Sequence, residues 1–325
     1  MKFAIPKGSL EKATFQILEQ AWYSVRGKER TYRPVVDDSE IELKLLRPQE
    51  IPVLVAEGIY DVGITGQDWI KETKANIDIL LNLEYGNIKL VFAVPKNLEV
   101  DGIDNFLRNY LKQNRNVKIS TEYLNIATEY IKNNSVYKEY FTNKDPTVMT
   151  PWWKKGNNSK ITIFLSFGAT EAKPPEEVDA IIDLIETGTT LERNNLKIID
   201  TIMESSSVLV SNKESLKDPK KREKIYDIVT LLKGAVDGKK NLHIFLNVKK
   251  DNLDKLLSQL PALKGPTIDP LSNKDWYSVN TVVTKEDFLK LLPTLRRLAQ
   301  GLVVHEPRQI LSLEEIARDE ENERR

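Results

Sequence analysis

The chain has 325 residues, a length that predicts two or three domains with buried cores. Lysine plus arginine and aspartate plus glutamate both number 48, so charge gives no reason to expect a nucleic-acid partner or an anionic membrane. The absence of cysteine excludes disulfides, iron–sulfur clusters and thiolate zinc sites, and two histidines argue against a multi-histidine metal site. The opening apolar stretch is short and interrupted by Lys7, and no apolar run reaches the length of a membrane helix, so we expect a cytoplasmic protein without a signal peptide.

Apolar segments of strand length alternate with helical patterns and predict a parallel α/β architecture. The predicted strands cover residues 3–6, 41–46, 60–64, 89–94, 117–120, 161–165, 179–185, 196–202 and 207–211. Helices are predicted from residue 10, over 49–56 and from residue 67. The VFAVP pattern at 91–95 indicates a crossing between two lobes. We therefore assign residues 1–94 with 195–236 to a first lobe and 95–194 to a second.

The segment 133–160 is rich in turn residues and contains the adjacent Trp152 and Trp153. The two indoles either cover an interface or pack locally on an irregular insertion, and the sequence leaves both interpretations open.

The stretch DAIIDLIETGTTL, residues 179–191, predicts a buried strand, a hydroxyl-rich turn and a helix that starts at Leu191. Backbone N–H groups at such a turn bind anions, and Gly188 allows close approach. A site for phosphate alone would avoid neighbouring acids, so Asp183 and Glu186 should face ribose hydroxyls or Mg²⁺. The combination indicates a phosphoribosyl pyrophosphate loop, whose phosphate-binding residues would be Glu186, Thr187, Gly188, Thr189 and Thr190. The alternative is an ordinary strand-to-helix turn with a capping threonine.

The C-terminal third predicts a charged helix over 218–236 and then a compact repeat of strands and helices. Strands at 242–248, 267–271, 276–283 and 302–305 and helices at 253–260 and 285–299 follow the order βαββαβ. This order predicts a ferredoxin-like domain over residues 237–312. The charge-rich tail, residues 313–325, is predicted to be a frayed helix.

Five segments resemble the long form of ATP phosphoribosyltransferase, the first enzyme of histidine biosynthesis. They are FAIPKGSL (3–10), LLRPQEIPVLVAEGIYDVGITGQDW (45–69), STEY (120–123), the stretch from GATEAK to LVSN (168–212), and LPALKGPTIDPL with WYSVNTVV (260–271 and 276–283). The resemblance implies a two-lobed periplasmic-binding-protein-like catalytic core with a C-terminal regulatory domain. It also implies ATP and phosphoribosyl pyrophosphate as substrates, Mg²⁺ carried by their phosphates, and inhibition by histidine.

The implied reaction joins the adenine N1 of ATP to C1 of the phosphoribosyl group and releases pyrophosphate. The family's pattern gives Lys7, Asp183 and Glu171 catalytic roles, with Asp183 at the ribose hydroxyls and Glu171 accepting from the adenine amino group. The implied ATP-binding residues are Lys7, Gly8, Arg47, Thr65, Gly66, Thr121, Glu122, Tyr123 and Glu171. Tyr123 could stack on adenine.

The chain departs from the family's usual pattern at two positions. Ser9 stands where the family often has arginine, so no charge contact is expected there. Leu124 stands where proline usually follows the tyrosine, which leaves the loop geometry open. Arg47 has two interpretations: its guanidinium grips a phosphate, or it pairs with a buried acid such as Asp61 or Asp68.

Two other classes of protein share parts of this pattern. A solute-binding protein has the same two lobes, but it is normally exported and gives no reason for the acidic ETGTTL turn. A short-form catalytic subunit would lack the C-terminal βαββαβ region.

The resemblance implies that histidine binds the C-terminal domain, and we expect its site at Gly265, Thr267, Ser278 and Asn280. The open sheet of the C-terminal domain predicts a homo-oligomer, between a dimer and the hexamer that the family implies, because an uncovered sheet invites association.

Overall fold

The computed structural model of the chain describes residues 1–27, 31–142, 144–261 and 265–313. Two compact units are formed, one by residues 1–11 with 43–215 and the other by residues 12–42 with the chain from 216 onward. The first part of the chain forms β1 (Lys2–Pro6), α1 (Glu11–Gln20), β2 (Val25–Arg26), β3 (Val35–Val36), β4 (Glu42–Leu46), α2 (Ile51–Ala56), β5 (Val62–Gly66), α3 (Gln67–Thr73), β6 (Asp78–Asn82) and β7 (Ile88–Pro95).

The middle of the chain forms α4 (Ile103–Lys112), β8 (Val117–Thr121), α5 (Leu124–Asn133), α6 (Ser135–Phe141), β9 (Pro146–Met149), β10 (Lys154–Lys155), β11 (Asn158–Leu165), β12 (Ala180–Ile185), α7 (Thr189–Arg193), β13 (Leu196–Ser205) and β14 (Ser207–Ser211). The last part forms α8 (Lys213–Lys217), α9 (Pro219–Lys240), β15 (Asn241–Lys249), α10 (Lys250–Leu257), β16 (Thr267–Pro270), β17 (Trp276–Thr284), α11 (Lys285–Leu298) and β18 (Ala299–His305).

The first sheet has the order β4-β1-β5-β14-β6 and forms the first lobe with α2 and α3. Strand β1 runs parallel to β5, whereas β14 runs antiparallel to β5 and β6. Strand β5 is buried along its whole length, as expected for a central strand covered on both faces. The carboxyl ends of β1 and β5 lie at one edge, and the Lys7 amide donates to the Leu46 carbonyl at 2.7 Å, which brings the end of β4 to the same edge.

The second sheet has the order β10-β9-β11-β8-β12-β7-β13 and forms the second lobe with α4 to α7. Strands β9, β11, β8 and β12 are parallel, and β10, β7 and β13 are antiparallel to their neighbours. Its core is aliphatic and aromatic, with Phe92, Phe106 and Ile163 fully buried. The predicted inner strands at 117–120, 161–165 and 179–185 are confirmed as β8, β11 and β12.

Two strand assignments were wrong. Residues 89–94 and 196–202 were predicted in the first lobe, but the corresponding β7 and β13 pair with each other in the second sheet. Both sheets are also mixed, not parallel throughout. Periodicity in a single strand shows that the strand is buried but carries no information on which strand it pairs with or in which direction.

The described residues of the segment 133–160 form α6, β9, β10 and the start of β11, which decides against an irregular insertion. Asn134 caps helix α6 because its side-chain oxygen accepts from the amides of Val136 at 2.9 Å and Tyr137 at 3.1 Å. Strand β9 extends the second sheet beside β11, and β10 closes a short hairpin with β9. Inside the segment, the buried Asn158 side chain donates to the Tyr137 hydroxyl at 3.1 Å and joins the start of β11 to α6.

The predicted ferredoxin-like domain is confirmed by β15, α10, β16, β17, α11 and β18 in the sheet order β16-β17-β15-β18. Helices α10 and α11 pack on one face, around a core that includes Ile244, Val279 and Leu295. The helix predicted over 218–236 is α9, which Asp218 caps by accepting from two backbone amides. The tail beyond residue 313, predicted as a frayed helix, lies outside the described residues.

Candidate active site

Three parallel strands of the second lobe end side by side. Their last residues are Thr121 of β8, Leu165 of β11 and Ile185 of β12. The STEY, GATE and ETGTT segments follow directly, so the structure brings the three predicted second-lobe segments to one edge. Ligands of open α/β sheets bind at the carboxyl ends of the strands. This edge is therefore the candidate active site.

A cavity of about 300 Å³ opens at this edge, lined by Glu171, Asp183, Leu184, Ile185, Glu186, Thr187, Gly188, Thr190 and Leu191. It holds two of the three predicted catalytic residues and most of the predicted phosphoribosyl pyrophosphate loop. Glu171 reaches it from a single 3₁₀ turn, Thr170–Ala172. Segments far apart in the sequence thus meet around one volume.

Asp183 is a half-buried carboxylate in an acidic surrounding. Burial, together with the negative charges of Glu171 and Glu122, raises the pKa of Asp183 to about 6, although the Leu184 amide donates to it at 2.8 Å. Burial likewise raises the pKa of Glu122, and the charge of Lys173 opposes that shift. A site that is costly for anions in this way favours a ligand that brings a cation or develops positive charge.

Lys173 is a functional candidate that the sequence analysis missed. Its ammonium group donates to the hydroxyls of Ser166 at 2.6 Å and Ser120 at 3.2 Å, and its charge acts on both Glu122 and Asp183. The residue lies within the GATEAK motif, two positions after Glu171. A lysine in a motif that otherwise supplies acids was the available signal.

The loop from Glu186 to Thr190 has the predicted form with one correction. Gly188 adopts φ = 80°, a left-handed conformation that glycine tolerates without steric cost. Helix α7 begins at Thr189, two residues earlier than predicted, and the Thr187 and Thr189 hydroxyl oxygens lie 3.0 Å apart. Because α7 has only five residues, hydroxyl and amide donors of the loop matter more here than a helix dipole.

A second cavity of about 340 Å³ joins the two lobes and is lined by Gln67, Asn87, Ile88, Lys89, Glu186, Glu204, Ser205 and Ser206. Glu186 lines both cavities. Gln67 directly follows the GITG segment, so the predicted first-lobe turn and the phosphoribosyl loop face a shared cleft.

In the GITG segment, Thr65 and Gly66 lie against other groups of the protein. Thr65 is buried and donates its hydroxyl to the Pro48 carbonyl at 2.8 Å. Gly66 is required because a Cβ there would lie 2.1 Å from the Asp68 carboxylate. Asp68 accepts from the Ser205 hydroxyl at 2.6 Å and from the Tyr123 hydroxyl at 2.8 Å, which links the lobes. Thr65 and Gly66 thus fix the course of the backbone beside the cleft.

The STEY segment contains one half-buried acid, Glu122, and three buried residues. Thr121 is fully buried, and its hydroxyl accepts from the Tyr123 amide at 2.9 Å. Tyr123 is 2% exposed and stacks on Trp69 with ring centroids 4.5 Å apart. This packing corrects the hypothesis of stacking on adenine, because the ring is enclosed by protein. Leu124 begins helix α5, so the loop remains regular without the usual proline.

The N-terminal residues form a separate group at the edge of the first sheet. Gly8 adopts φ = 98°, and its amide donates to the Glu11 carboxylate at 3.2 Å. The Arg47 guanidinium lies against Gly8, 3.6 Å from where a Cβ would stand. Asp61 and Asp68 have other partners, which contradicts the structural ion pair and leaves the exposed Arg47 directed at the Lys7–Gly8 turn.

The predicted effector residues largely share one face of the ferredoxin-like sheet. Thr267 pairs in register with Asn280, and Asp269 with Ser278. The Asn280 side chain hydrogen-bonds the His243 ring, which the sequence analysis did not include. Gly265 lies in the preceding loop with φ = 113°.

Within the described ranges, no group of three or more acidic or histidine side chains is arranged to hold a metal ion. Among the same residues, no helix combines the length and the apolar character that a membrane span requires.

Comparison with known proteins follows the same division of the chain. The family model described as ATP phosphoribosyltransferase matches residues 47–234, and the model of that family's C-terminal domain matches 238–306. The ATP phosphoribosyltransferase of Pelotomaculum thermopropionicum is 36% identical over 314 residues, covering 94% of this chain and 97% of the relative. That of Solibacter usitatus is 38% identical over 312 residues, with the same coverage.

A solved structure, the ATP phosphoribosyl transferase (HisG:HisZ) complex from Thermotoga maritima, matches with a TM-score of 0.54 at 22% identity. The match covers 71% of this chain and 95% of the other. At this identity the likeness supports the fold alone, here a core of two α/β lobes. The additional C-terminal domain identifies the long form.

Proposed function

The chain belongs to the ATP phosphoribosyltransferase family of histidine biosynthesis, and on that premise we propose how its residues divide the reaction. The bond from C1 of the phosphoribosyl group to pyrophosphate breaks, and a bond from C1 to adenine N1 of ATP forms. N1 already carries a lone pair, so no activated side-chain nucleophile is needed. Positioning of two polyanions and stabilisation of a cationic C1 then carry the catalysis.

The cavity at Asp183 is the proposed site for phosphoribosyl pyrophosphate. Amides and hydroxyls of Thr187, Gly188, Thr189 and Thr190 bind the 5-phosphate, and Glu186 lies between this cavity and the shared cleft. Asp183 accepts from the ribose hydroxyls. Its negative charge then stabilises the oxocarbenium-like carbon as the pyrophosphate departs. The observation that carries this assignment is a half-buried acid with a pKa of about 6 beside a hydroxyl-rich loop that turns at Gly188.

ATP is proposed to bind across the same cleft. Lys7 and Arg47 contact its phosphates from the first-lobe edge, where Gly8 allows close approach of the backbone. Glu171 accepts from the adenine 6-amino group and so orients N1 towards C1. Glu122 lies beside the nucleotide with Lys173 moderating its charge. Thr65, Gly66, Thr121 and Tyr123 hold the surrounding backbone in place.

Mg²⁺ is proposed to be carried by the substrate phosphates. The described residues offer no protein-only cage, and Mg²⁺ in phosphate-transfer sites is commonly held by one or two carboxylates together with phosphate oxygens. Asp183 and Glu186 supply such carboxylates at the cavity. Bound there, the ion would neutralise charge on the leaving pyrophosphate.

Three further properties are proposed from the family and the C-terminal domain. Histidine binds the face that carries Thr267, Ser278 and Asn280 and inhibits the enzyme. The chain assembles between a dimer and a hexamer, which light scattering would determine. It acts in the cytoplasm.

Steady-state kinetics with both substrates varied test the division of the cleft. Thr189→Ala should weaken phosphoribosyl pyrophosphate binding and lower kcat/KM for it by about tenfold or more, because a phosphate loses a hydrogen-bond donor. Arg47→Ala should instead raise KM for ATP. Thr201→Ala, an exposed threonine on β13, is the matched control and should leave both unchanged. An equal effect of Thr189→Ala and Arg47→Ala on both substrates would contradict the assignment.

A further inference from the structure

Two aromatic side chains at the edge of the second lobe are exposed and have no role in the site described so far. Trp152 is 72% exposed and Phe167 is 69% exposed. Their rings meet edge to face with centroids 5.8 Å apart and an interplanar angle of 84°. Large apolar side chains rarely stand clear of the surface as a pair unless something packs on them.

The sheet register places this pair at the catalytic edge. Strands β9 and β11 are parallel, and Met149 pairs with Phe164. Trp152 comes three residues after Met149, and Phe167 comes three residues after Phe164. Both therefore lie beyond the carboxyl ends of β9 and β11. Phe167 lies four residues before Glu171, which lines the cavity at Asp183.

Both side chains are held by ordered turns. The Thr150 hydroxyl accepts from the amides of Trp152 at 3.2 Å and Trp153 at 3.1 Å, and the Thr150 amide donates to the Trp153 carbonyl at 2.9 Å. On the other side, Gly168 and Ala169 adopt φ = 103° and 49°, and this turn carries the chain from Phe167 to the Glu171 segment. The backbone next to each ring is therefore set by a defined turn.

Charge beside the pair selects the kind of ligand. Lys154 and Lys155 of β10 are exposed directly after the hairpin tip, and the Lys155 ammonium lies 5.1 Å from the Trp153 ring centroid. Aromatic faces next to cations suit a flat base that carries phosphates. We propose that Trp152 and Phe167 form the platform on which the adenine ring of ATP stacks, with the positive charge of the lysines attracting the polyanionic nucleotide.

This inference rests on the proposed function and extends it. The corrected role of Tyr123, enclosed against Trp69, leaves the adenine without an aromatic partner. The Trp152–Phe167 platform supplies one on the same edge. A stacked base would keep its Watson–Crick edge free, as attack by N1 requires.

Kinetics of the full-length enzyme test the platform. Trp152→Ala should raise KM for ATP by about tenfold, equivalent to about 1.4 kcal/mol, while KM for phosphoribosyl pyrophosphate stays unchanged. Trp152→Phe should restore most of the affinity because it keeps a ring. Tyr140→Ala, an exposed aromatic residue on α6 of the same lobe, is the control and should behave as wild type. An unchanged KM for ATP in Trp152→Ala, or an equal rise in Tyr140→Ala, would overturn the proposal.

Tryptophan fluorescence separates this proposal from the function on which it rests. ATP alone should quench the emission of the wild type, and Trp152→Phe should lose that change. An inactive wild type would count against the function, while the quenching would still test the platform. An active wild type whose quenching persists in Trp152→Phe would overturn only the platform. Loss of assembly in Trp152→Ala with unchanged KM for ATP would also overturn it, because a second copy would then cover the rings.

Discussion

Asp183 destabilises the folded protein when it is ionised, and the same negative charge is proposed to act in catalysis. Its carboxylate lies within strand β12, and burial together with the charges of Glu171 and Glu122 raises its pKa to about 6 from an ordinary value of 3.8. The folded protein therefore holds the proton more tightly than the unfolded chain. Ionised Asp183 destabilises the fold at neutral pH, and the cost disappears as the pH falls through this interval.

Asp183→Asn should separate stability from activity. Because the amide cannot ionise, the variant should be more stable than wild type near neutral pH by on the order of 1 kcal/mol, which raises Tm by a few degrees. The same change should lower turnover by about tenfold or more, since the developing positive charge loses its partner. Thermal unfolding and kinetics on one preparation measure both effects.

The pH dependence supplies the control for this prediction. Wild-type activity should fall as the pH drops through about 6, whereas the residual activity of Asp183→Asn should lack that step. The Tm difference should vanish in acid, where wild-type Asp183 is also neutral. A variant with lower Tm and wild-type turnover would contradict both roles.

At the scale of residues, the sequence suggested the acids and hydroxyls of the site. It did not show which residues are held by contacts with distant parts of the chain. Asp183, Glu186 and the threonines could be proposed from the sequence because their types follow one another in a short segment. Lys173 was missed because its partners are distant in the chain: Ser120 lies on β8 and Ser166 directly follows β11. Tyr123 was misjudged for the same reason: its enclosure depends on Trp69 and Asp68, which come from a different lobe.

At the scale of elements, the two lobes are tied together by the end of one helix and the start of another. Glu72 of α3 is 8% exposed, and its carboxylate accepts from the amides of Asn125 at 2.9 Å and Ile126 at 3.0 Å at the start of α5. Helix α5 has no capping side chain of its own. A carboxylate from the other lobe therefore satisfies its free N–H groups.

Glu72→Ala should lower the free energy of unfolding by about 2 kcal/mol, because buried amides lose a charged acceptor. Glu129→Ala is the matched control. Glu129 also lies on α5 and pairs with Lys74 of the first lobe at 2.5 Å, but both side chains are about half exposed, so its loss should cost well under about 1 kcal/mol. Denaturant unfolding measures both. Equal losses would show that Glu72 contributes no more than a surface ion pair.

The order of elements could be predicted because periodicity is local. Alternation marked the strands of the ferredoxin-like domain within two or three residues of their observed ends. Sheet membership could not be predicted for β7 and β13, because pairing depends on residues distant in the chain. The hairpin of β9 and β10 was not predicted, because turn residues dominate the sequence around these two short strands.

At the scale of the whole molecule, the C-terminal domain leaves one sheet face uncovered by its own helices. Trp276 and Val282 lie on that face as half-buried residues, and Val303 there is 51% exposed. Val279, on the opposite face of the same strand, packs inside the domain core. The open face also carries Asn280 and His243, so the proposed effector site and the proposed assembly surface coincide. Such an arrangement allows an effector to act through subunit contacts.

Asn280→Ala in the full chain should raise the histidine concentration needed for half-maximal inhibition by about tenfold or more, because a buried polar contact is lost. Activity without histidine should stay at the wild-type level. Leu289→Ala, an exposed position on the helix side of the same domain, should change neither. Inhibition that is unaltered in Asn280→Ala would move the effector site away from this face.

The most direct test of the account is a spectrophotometric assay of the purified chain with ATP, phosphoribosyl pyrophosphate and Mg²⁺, in which the N1-ribosylated product and pyrophosphate are both measured. We predict equal amounts of the two products, formed only when both substrates are present, and at a rate strongly reduced by Asp183→Asn. Absence of the N1 adduct, or release of pyrophosphate without ATP, would contradict the account.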